Sequence, residues 1–390
     1  MGSILRLKTL LECCDLITDG SHKSPKTYDK GFPYVTVKDV NDDGIIDTIN
    51  CKKIIKNDFD LLVSGNCQPL KGDILFSKDG TVGKVALVDK QEPFVVLSSL
   101  AILRPNKKIL ESSYFRYMML SPNIQNEAIG LKTGAAIKRV VLRTIKSIKI
   151  PLPPLPEQER IVGKLDGLFE KIDQAISLLE ENIAHTEALM GSVLDEEFGK
   201  LERNYESKPL AEIVKVINGR AYKKPEMLDS GKYPILRVGN FFSNRGWYYS
   251  DMELNEDKYC EKGDLLYAWS ASFGPKIWDG DKSIYHYHIW KLVPLHNQVS
   301  REYFYYLLES DTEKIKEEGG RGVGMIHITK GGIEKRMMVL PPLKVQNKVV
   351  KIIEDFYDLH DKLLKIQTQK LNHLKALKSS LLDQAFKGEL

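Results

Sequence analysis

Pro153-Pro154-Leu155-Pro156-Glu157-Gln158 returns later in the chain as Pro341-Pro342-Leu343-Lys344-Val345-Gln346, a shift of 341 − 153 = 188 positions. The same shift carries Phe169 onto Tyr357, and Leu194-Asp195-Glu196-Glu197-Phe198 onto Leu382-Asp383-Gln384-Ala385-Phe386. Everything between these anchors repeats without a gap, and such repetition precedes any residue-level reading of the fold. Upstream the correspondence is looser. Gly72-Asp73-Ile74-Leu75-Phe76 answers Gly263-Asp264-Leu265-Leu266-Tyr267 at a shift of 263 − 72 = 191. Ile17-Thr18-Asp19-Gly20 resembles Ile217-Asn218-Gly219 at a shift of 217 − 17 = 200.

The repeated stretch reads as a helix in both copies. Pro156 suits a first helical turn, and Glu157 and Glu159 suit the positive end of the helix dipole. Ile161, Leu165, Leu168, Ile172, Ile176, Leu179 and Ile183 recur at steps of three and four, as one apolar stripe. The second copy gives Val349, Ile353, Phe356, Leu364, Leu371, Leu374, Leu377 and Leu381. Roughly 40 residues at 1.5 Å each make a helix about 60 Å long, too long to bury its stripe on one compact domain. The other copy is the partner, running antiparallel about a pseudo-twofold axis. The segments flanking the helices mix strands with short helices. Phe32–Val37, Asp73–Phe76 and Lys84–Val88 read as strands; Ser112–Asn123 and Arg301–Ser310 read as amphipathic helices. The expected fold is α+β: two mixed α/β domains, 1–152 and 201–340, joined by two long antiparallel helices, 153–200 and 341–390, forming a coiled coil with an internal repeat.

Composition bounds the function. At 390 residues, with 42% hydrophobic and 28% charged residues, the chain is of globular type and long enough for several folding units. No apolar run approaches the ~20 residues that cross a bilayer. Met1-Gly2-Ser3-Ile4-Leu5-Arg6 lacks the apolar core of a secretory signal. Cys13, Cys14, Cys51, Cys67 and Cys260 form no CxxC pair, and their odd number argues for free thiols in a reducing cytoplasm. A net charge of +4 permits a polyanionic partner without demanding one.

Enzymatic motifs are missing from the sequence. An amino-methyltransferase loop of the Asn/Asp-Pro-Pro-aromatic type is absent, because both Pro-Pro pairs are followed by leucine, Leu155 and Leu343. No GxGxxG or GxxxxGK[ST] phosphate loop occurs. Gly80-Thr81-Val82-Gly83-Lys84 reads as a hairpin. In Tyr285-His286-Tyr287-His288, strand alternation would put both histidines on one face. A hydrogen-bonded strand, a nucleic-acid contact and a weak metal site are all compatible with that pattern. No catalytic residues and no metal site are assigned.

Polar loops in both domains mix cations, amides and aromatics, as groove and phosphate contacts require. Domain one offers His22, Lys23, Lys26, Lys38, Ser77, Lys78, Lys138 and Arg139. Domain two offers Lys223, Lys224, Arg237, Asn240, Lys276, Arg321 and Lys330, with Arg220 beside them. These are the candidate DNA-binding residues.

Leu152-Pro153-Pro154-Leu155-Pro156-Glu157-Gln158 and the helix after it resemble the central region of specificity subunits of type I restriction–modification systems. Ser380 to Leu390 is similar to their C-terminal ending. Ile17 to Lys26 looks like the opening of their target-recognition domains, and Trp269-Ser270-Ala271-Ser272-Phe273-Gly274-Pro275 resembles a segment within the second. The resemblance spans nearly the whole chain. It implies a non-catalytic subunit whose two target-recognition domains each read half of a bipartite duplex site through the major groove, with the helices setting the unread gap. It further implies two methyltransferase subunits that bind S-adenosylmethionine, restriction subunits in some systems, no cofactor in this chain, and a cytoplasmic location. A non-catalytic helical scaffold with two domains for a non-DNA partner is the alternative. One departure stands out: Val345 replaces Glu157 in the second copy, which puts an equal role for the two helix starts in question.

Overall fold

The computed structural model describes residues 7–89, 92–130, 139–243, 246–270, 272–319 and 328–390. Contacts divide the chain into two compact units, Met1–Glu180 with Gln369–Leu390, and Glu181–Thr368. The boundaries differ from the sequence reading, which gave each long helix a segment of its own. Each unit instead takes one mixed domain, the first half of one long helix and the last half of the other. Each unit thereby buries one end of the stripe, while Ile176, Leu179 and Ile183 between the ends are half-buried and Phe356 and Leu377 of the second helix are exposed.

In unit one, β2 (Cys14–Asp19), β8 (Leu100–Pro105), β5 (Ile74–Ser77) and β6 (Val85–Leu87) form an antiparallel sheet in the order β2-β8-β5-β6. A second sheet has the order β4 (Lys52–Ile54), β3 (Phe32–Val35), β7 (Val95–Val96), with β3 and β7 parallel. β1 (Leu7–Thr9) and β9 (Lys149–Pro151) close the domain as a two-stranded ribbon. All four residues of β5 are buried, because the strand is central and covered on both faces. Ile74 and Phe76 pack toward the helix Ser112–Leu120 and the long helix, while Leu75 packs with Val96 and Ile102 on the other side. A continuous apolar run is the signature of a strand so placed. The stretch 77–84 is the expected hairpin: the Ser77 amide donates to the Lys84 carbonyl at 2.9 Å, and the Lys84 amide to Ser77 Oγ at 2.7 Å.

Unit two repeats this plan. β11 (Val214–Asn218), β18 (Ile289–Pro294), β15 (Leu265–Ser270) and β16 (Ser272–Ile277) form the first sheet in the order β11-β18-β15-β16. β13 (Tyr248–Ser250), β12 (Tyr233–Leu236), β17 (Ser283–Tyr285) and β14 (Tyr259–Cys260) form the second. β10 (Ser207–Pro209) and β19 (Met337–Val339) make the closing ribbon. The helix beginning at Arg301 runs to Gly319, longer than its apolar spacing alone suggests.

The long helices are Leu155–Asn204 and Leu343–Lys387. In unit one, Ile161, Leu165, Phe169 and Ile172 pack in one core with Leu381, Leu382, Ala385 and Phe386. Asp173–Lys378 at 2.6 Å and Glu180–Lys375 at 3.1 Å fix the antiparallel sense there. In unit two, Leu194, Phe198 and Leu201 share a core with Val349, Val350 and Ile353, and Gln367 Nε2 donates to Thr186 Oγ1 at 3.1 Å. Each large apolar side chain buried in these seams contributes about 1.5–3 kcal/mol.

Two matched devices tie domain to helix. Tyr114 donates to the Pro151 carbonyl at 3.1 Å and meets the Phe386 ring edge-on at 5.3 Å. Its counterpart Tyr303 donates to the Val339 carbonyl at 2.9 Å and meets Phe198 edge-on at 5.7 Å. The second device is the glutamine of the repeated motif. Gln158 Oε1 accepts from the Glu111 amide at 2.9 Å, and its Nε2 donates to the Ile109 and Pro153 carbonyls, each at 2.8 Å. Gln346 does the same with the Ser300 amide at 2.8 Å, the Gln298 carbonyl at 2.8 Å and the Pro341 carbonyl at 2.7 Å. Both glutamines are fully buried. Glu157, by contrast, lies at the surface against Arg160 at 2.8 Å. Its replacement by Val345 therefore leaves the two helix starts equivalent in the part that holds them.

All five cysteines are free; four are buried and Cys14 is half-buried. Burial pushes the thiols of Cys13, Cys14, Cys51, Cys67 and Cys260 upward, so they behave as small apolar side chains. Among the described residues, no helix is long and apolar enough to cross a membrane.

Candidate nucleic-acid interface

The two first sheets end in the same backbone turn. In unit one, β2 runs into Gly20, whose amide donates to the Leu100 carbonyl at 3.0 Å, while the Ser21 amide donates to that of Val96 at 2.8 Å. A Cβ on Gly20 would lie 2.3 Å from the Val96 oxygen and 2.4 Å from that of Leu97, so only glycine fits. In unit two the Gly219 amide donates to the Ile289 carbonyl at 3.1 Å, and the Arg220 amide to that of Tyr285 at 3.0 Å. A Cβ there would lie 2.3 Å from the His286 oxygen and 2.4 Å from that of Tyr285. Gly20 thus pairs with Gly219, one position off the loose shift read from sequence.

What the turns carry differs. At the tip of unit one the groups are ionic. Lys78 is only 1% exposed, and its Nζ sits 3.1 Å from Asp19 Oδ1. The other carboxylate oxygen of Asp19 lies 3.2 Å from Nε2 of exposed His22. The Val140 amide donates to the Lys78 carbonyl at 2.7 Å, which brings Arg139 beside Asp79, 4.0 Å away. The Val37 amide donates to Ser99 Oγ at 3.4 Å on the neighbouring turn, placing exposed Lys38 at the same end. Lys23 and Lys26 are exposed on the loop leaving Ser21, with Lys26 lying 5.6 Å from the Tyr28 ring. The structure therefore sets His22 against the pair of buried Lys78 and half-buried Asp19, with Arg139 beside the next residue, Asp79, and Lys38 on the adjoining turn. Ser77 and Lys78 do not face outward. Ser77 closes the hairpin, and Lys78 holds the turn from beneath.

At the tip of unit two the groups are aromatic. The run Tyr285 to His288 is not one continuous strand, as alternation suggests. β17 ends at Tyr285, Tyr287 and His288 form a turn, and β18 resumes at Ile289. The turn is held by the Tyr287 amide donating to the Arg220 carbonyl at 3.0 Å and by Trp269 Nε1 donating to the Tyr287 carbonyl at 2.8 Å. Tyr267 stacks on Trp290 at 6.1 Å, Trp290 on Trp269 at 5.7 Å, and Trp269 meets His288 edge-on at 5.0 Å. This ladder leads from the core to Tyr287, 39% exposed. The residue 191 positions before Trp269 is Lys78, so one scaffold position carries an ammonium in one unit and an indole in the other. That shift was the available signal for Trp269, which charge and amide content overlook; Tyr287 and His288 belong to the run for which a nucleic-acid contact is one of the sequence readings.

The remaining candidates are spread more widely. Lys223 and Lys224 are exposed. Arg220 forms a two-pronged pair with Glu226 at 2.7 and 3.1 Å, which lowers the Glu226 carboxyl to about 2. Arg237 lies 4.4 Å from the Tyr248 ring. Asn240 is buried and donates to the Gly246 carbonyl at 3.3 Å. Lys276 donates to the Phe241 carbonyl at 3.4 Å and lies 3.7 Å from Asp279. Lys330 begins a short helix and pairs with Glu334 at 3.5 Å. Lys138 and Arg321 lie outside the described residues.

His286 has a clear electrostatic character. Burial lowers its pKa from 6.5 to about 4, helped by His288 and Arg237 nearby. Below pH 6.5 the unfolded chain takes up a proton that the folded domain refuses, so stability holds above 6.5, falls with pH, and levels off near 4. We expect denaturant midpoints of the full chain to drop over that window. His286→Gln should flatten the drop; an unchanged slope would place the responsible group elsewhere. Among the described residues, no group of three or more His, Cys, Asp or Glu could hold a metal.

A sequence profile described as the type I restriction modification DNA specificity domain matches residues 7–181 and again 202–375, once per repeat. The specificity subunit of the type I restriction enzyme EcoKI from Escherichia coli (strain K12) is 27% identical over 323 residues, covering 74% of this chain and 68% of that protein. The putative specificity subunit of the type I restriction enzyme MjaX from Methanocaldococcus jannaschii is 24% identical over 417 residues, covering 99% and 93%. Among solved structures, a chain from a study of the assembly and conformational transition of the type I R-M system superposes with a TM-score of 0.77 at 21% identity, covering 99% of this chain and 98% of that one. The HsdS subunit from Thermoanaerobacter tengcongensis gives a TM-score of 0.60 at 21% identity, covering 99% and 97%. The two solved structures share the fold of this chain.

Proposed function

The chain belongs to the type I restriction–modification DNA specificity family, and from that premise we propose that each domain tip reads one half of a bipartite duplex site. The chain supplies sequence specificity and is not the catalyst. DNA and the methyltransferase and restriction subunits are its partners. The alternative of a scaffold for a non-DNA partner has no support beside the family match. In the finer reading, two modification subunits, each binding S-adenosylmethionine, assemble with one copy of this chain in the cytoplasm.

One observation carries the division into halves: the same glycine turn on the same sheet presents unlike side chains in the two units. His22, Lys38 and Arg139 offer donors suited to the guanine O6 and N7 edge. Tyr287 and His288 offer ring surface for a thymine methyl and a hydrogen-bonding nitrogen. A reader of two different half-sites needs such a difference, and a scaffold duplicated for one partner does not. Lys23, Lys26, Lys223 and Lys224 are exposed side chains suited to phosphates, which position the domain without reading bases.

Duplex binding by the complex should weaken steeply with salt. The slope of log affinity against log salt should become shallower by about two when Lys223 and Lys224 are both replaced by alanine, at about 0.9 per phosphate contact. Preference among sequences should be unchanged. An unaltered slope with altered preference would make these two lysines base contacts, and salt-independent binding would remove the DNA reading of this surface.

A further inference from the structure

Three neighbouring side chains of unit two carry costs that the fold does not require. Arg237 is half-buried, with its guanidinium 4.4 Å from the Tyr248 ring. Among the described residues it has no carboxylate partner, its Nε is buried without an acceptor, and its Nη2 reaches only the Gly246 carbonyl, at 3.5 Å. Tyr222 is 9% exposed, and among the described residues its buried hydroxyl has no hydrogen-bond partner. His286 joins the two. Its amide donates to the Leu236 carbonyl at 2.9 Å, next to Arg237, and its ring lies 6.4 Å from that of Tyr222. Burial keeps this imidazole uncharged at neutral pH, so it adds no charge of its own. An unpartnered buried donor and an unpaired half-buried cation are both destabilising.

Unit one shows that the scaffold has no need of them. Val35 pairs with Val96 as Leu236 pairs with Tyr285, and Ser21 bridges to Leu97 as Arg220 does to His286. Thr36, Leu97 and Lys23 therefore stand where Arg237, His286 and Tyr222 stand. Thr36 is satisfied, because its amide and its Oγ1 both donate to Asp39 Oδ2, at 2.7 and 2.8 Å. Lys23 is exposed. The unpartnered donors belong to unit two alone, and what satisfies them is an acceptor rich in negative charge. Costs of this kind persist where function needs them. On a duplex the backbone phosphate and the guanine edge both qualify. Base edges lie at the floor of a groove about 8.5 Å deep, where only an exposed side chain such as Tyr287 reaches them. Phosphates stand outermost on the duplex and can enter a recess. We propose that Arg237, Tyr222 and His286 form the seat of one backbone phosphate, which sets the register of unit two on its half-site. This rests on the reading of the chain as a DNA reader and adds the point at which unit two is anchored.

The test uses the complex of this chain with its methyltransferase subunits, and duplexes carrying one neutral methylphosphonate at each phosphate of the site in turn. Neutralising the seated phosphate should weaken binding about tenfold. Arg237→Gln keeps the stem of the side chain on the Tyr248 ring. It should weaken binding to every unmodified sequence by a similar factor, make the salt slope shallower by about one, and remove the sensitivity at that single phosphate. Tyr222→Phe should weaken binding about threefold through the same phosphate, yet cost the free chain no thermal stability, because the lost hydroxyl has no partner there. A merely structural hydroxyl would lower the melting temperature instead. Altered base preference in Arg237→Gln, phosphate sensitivity that survives it, or stability lost by Tyr222→Phe would each overturn the proposal. Sequence-specific binding by the parent complex would leave the DNA reading standing in those cases, and a parent complex that binds no duplex would overturn both.

Discussion

Replacing Gln346 by leucine should destabilise unit two by about 3–5 kcal/mol, although both side chains are uncharged and of similar size. The glutamine is fully buried and makes three hydrogen bonds, to the Ser300 amide and to the Gln298 and Pro341 carbonyls. Leucine satisfies none of them. Each buried group left without its partner costs about 1–3 kcal/mol; Gln298 lies near the surface and can turn to water, so the total falls below three full penalties. Gln158→Leu should cost as much in unit one, where the same three bonds recur. Glu157→Val, which copies the natural residue of the second repeat, should cost under about 1 kcal/mol, because it removes only a surface pair with Arg160. Denaturant unfolding of the full chain gives these differences. Amide exchange at Glu111 and Ser300 assigns each loss to its unit. Equal costs for Glu157→Val and Gln158→Leu would contradict the assignment of the glutamine as the clamp.

The repeat and the helices were legible because their signals are local and written twice. The 188-residue shift selects Gln158 and Gln346 as the matched pair and drops Glu157. The apolar steps mark the seam at Val349, Ile353, Leu374 and Leu381 but wrongly include exposed Phe356 and Leu377, and the glycines at 80 and 83 announce a hairpin. The tips were less legible, because their chemistry is long-range. Lys78 reads as a surface cation until Asp19, far upstream in sequence, is placed 3.1 Å away by the β2-β8-β5 register. His286 and His288 alternate as if on a strand, but β17 ends at Tyr285 and a turn follows, bringing their rings to 4.8 Å. Arg220 reads as a free cation until Glu226 is found to hold it. Phe356 and Ile353 are three positions apart, close enough for spacing to merge them, yet one faces outward and the other is buried. Pattern gives the period; which face meets a neighbour depends on the packing of the unit.

The largest functional effect should follow exchange of one domain. The two tips present different side chains on one scaffold, and each domain is tied to the helices by its own glutamine and tyrosine. Residues 7–152 can therefore be replaced by the matching domain of a relative while Gln158 and the helix after it are kept. A mismatched base pair costs about 1–3 kcal/mol, so a half-site altered at two positions loses roughly 2–6 kcal/mol of specific binding. That is enough to switch the sequence recognised. The most direct measurement is the methylated motif in genomic DNA from cells expressing the exchanged chain with its partner subunits, mapped beside the parent. The account predicts a motif in which one half-site is replaced by that of the donor and the other is retained base for base. A motif changed in both halves, or in neither, would contradict the claim that each unit reads its own half.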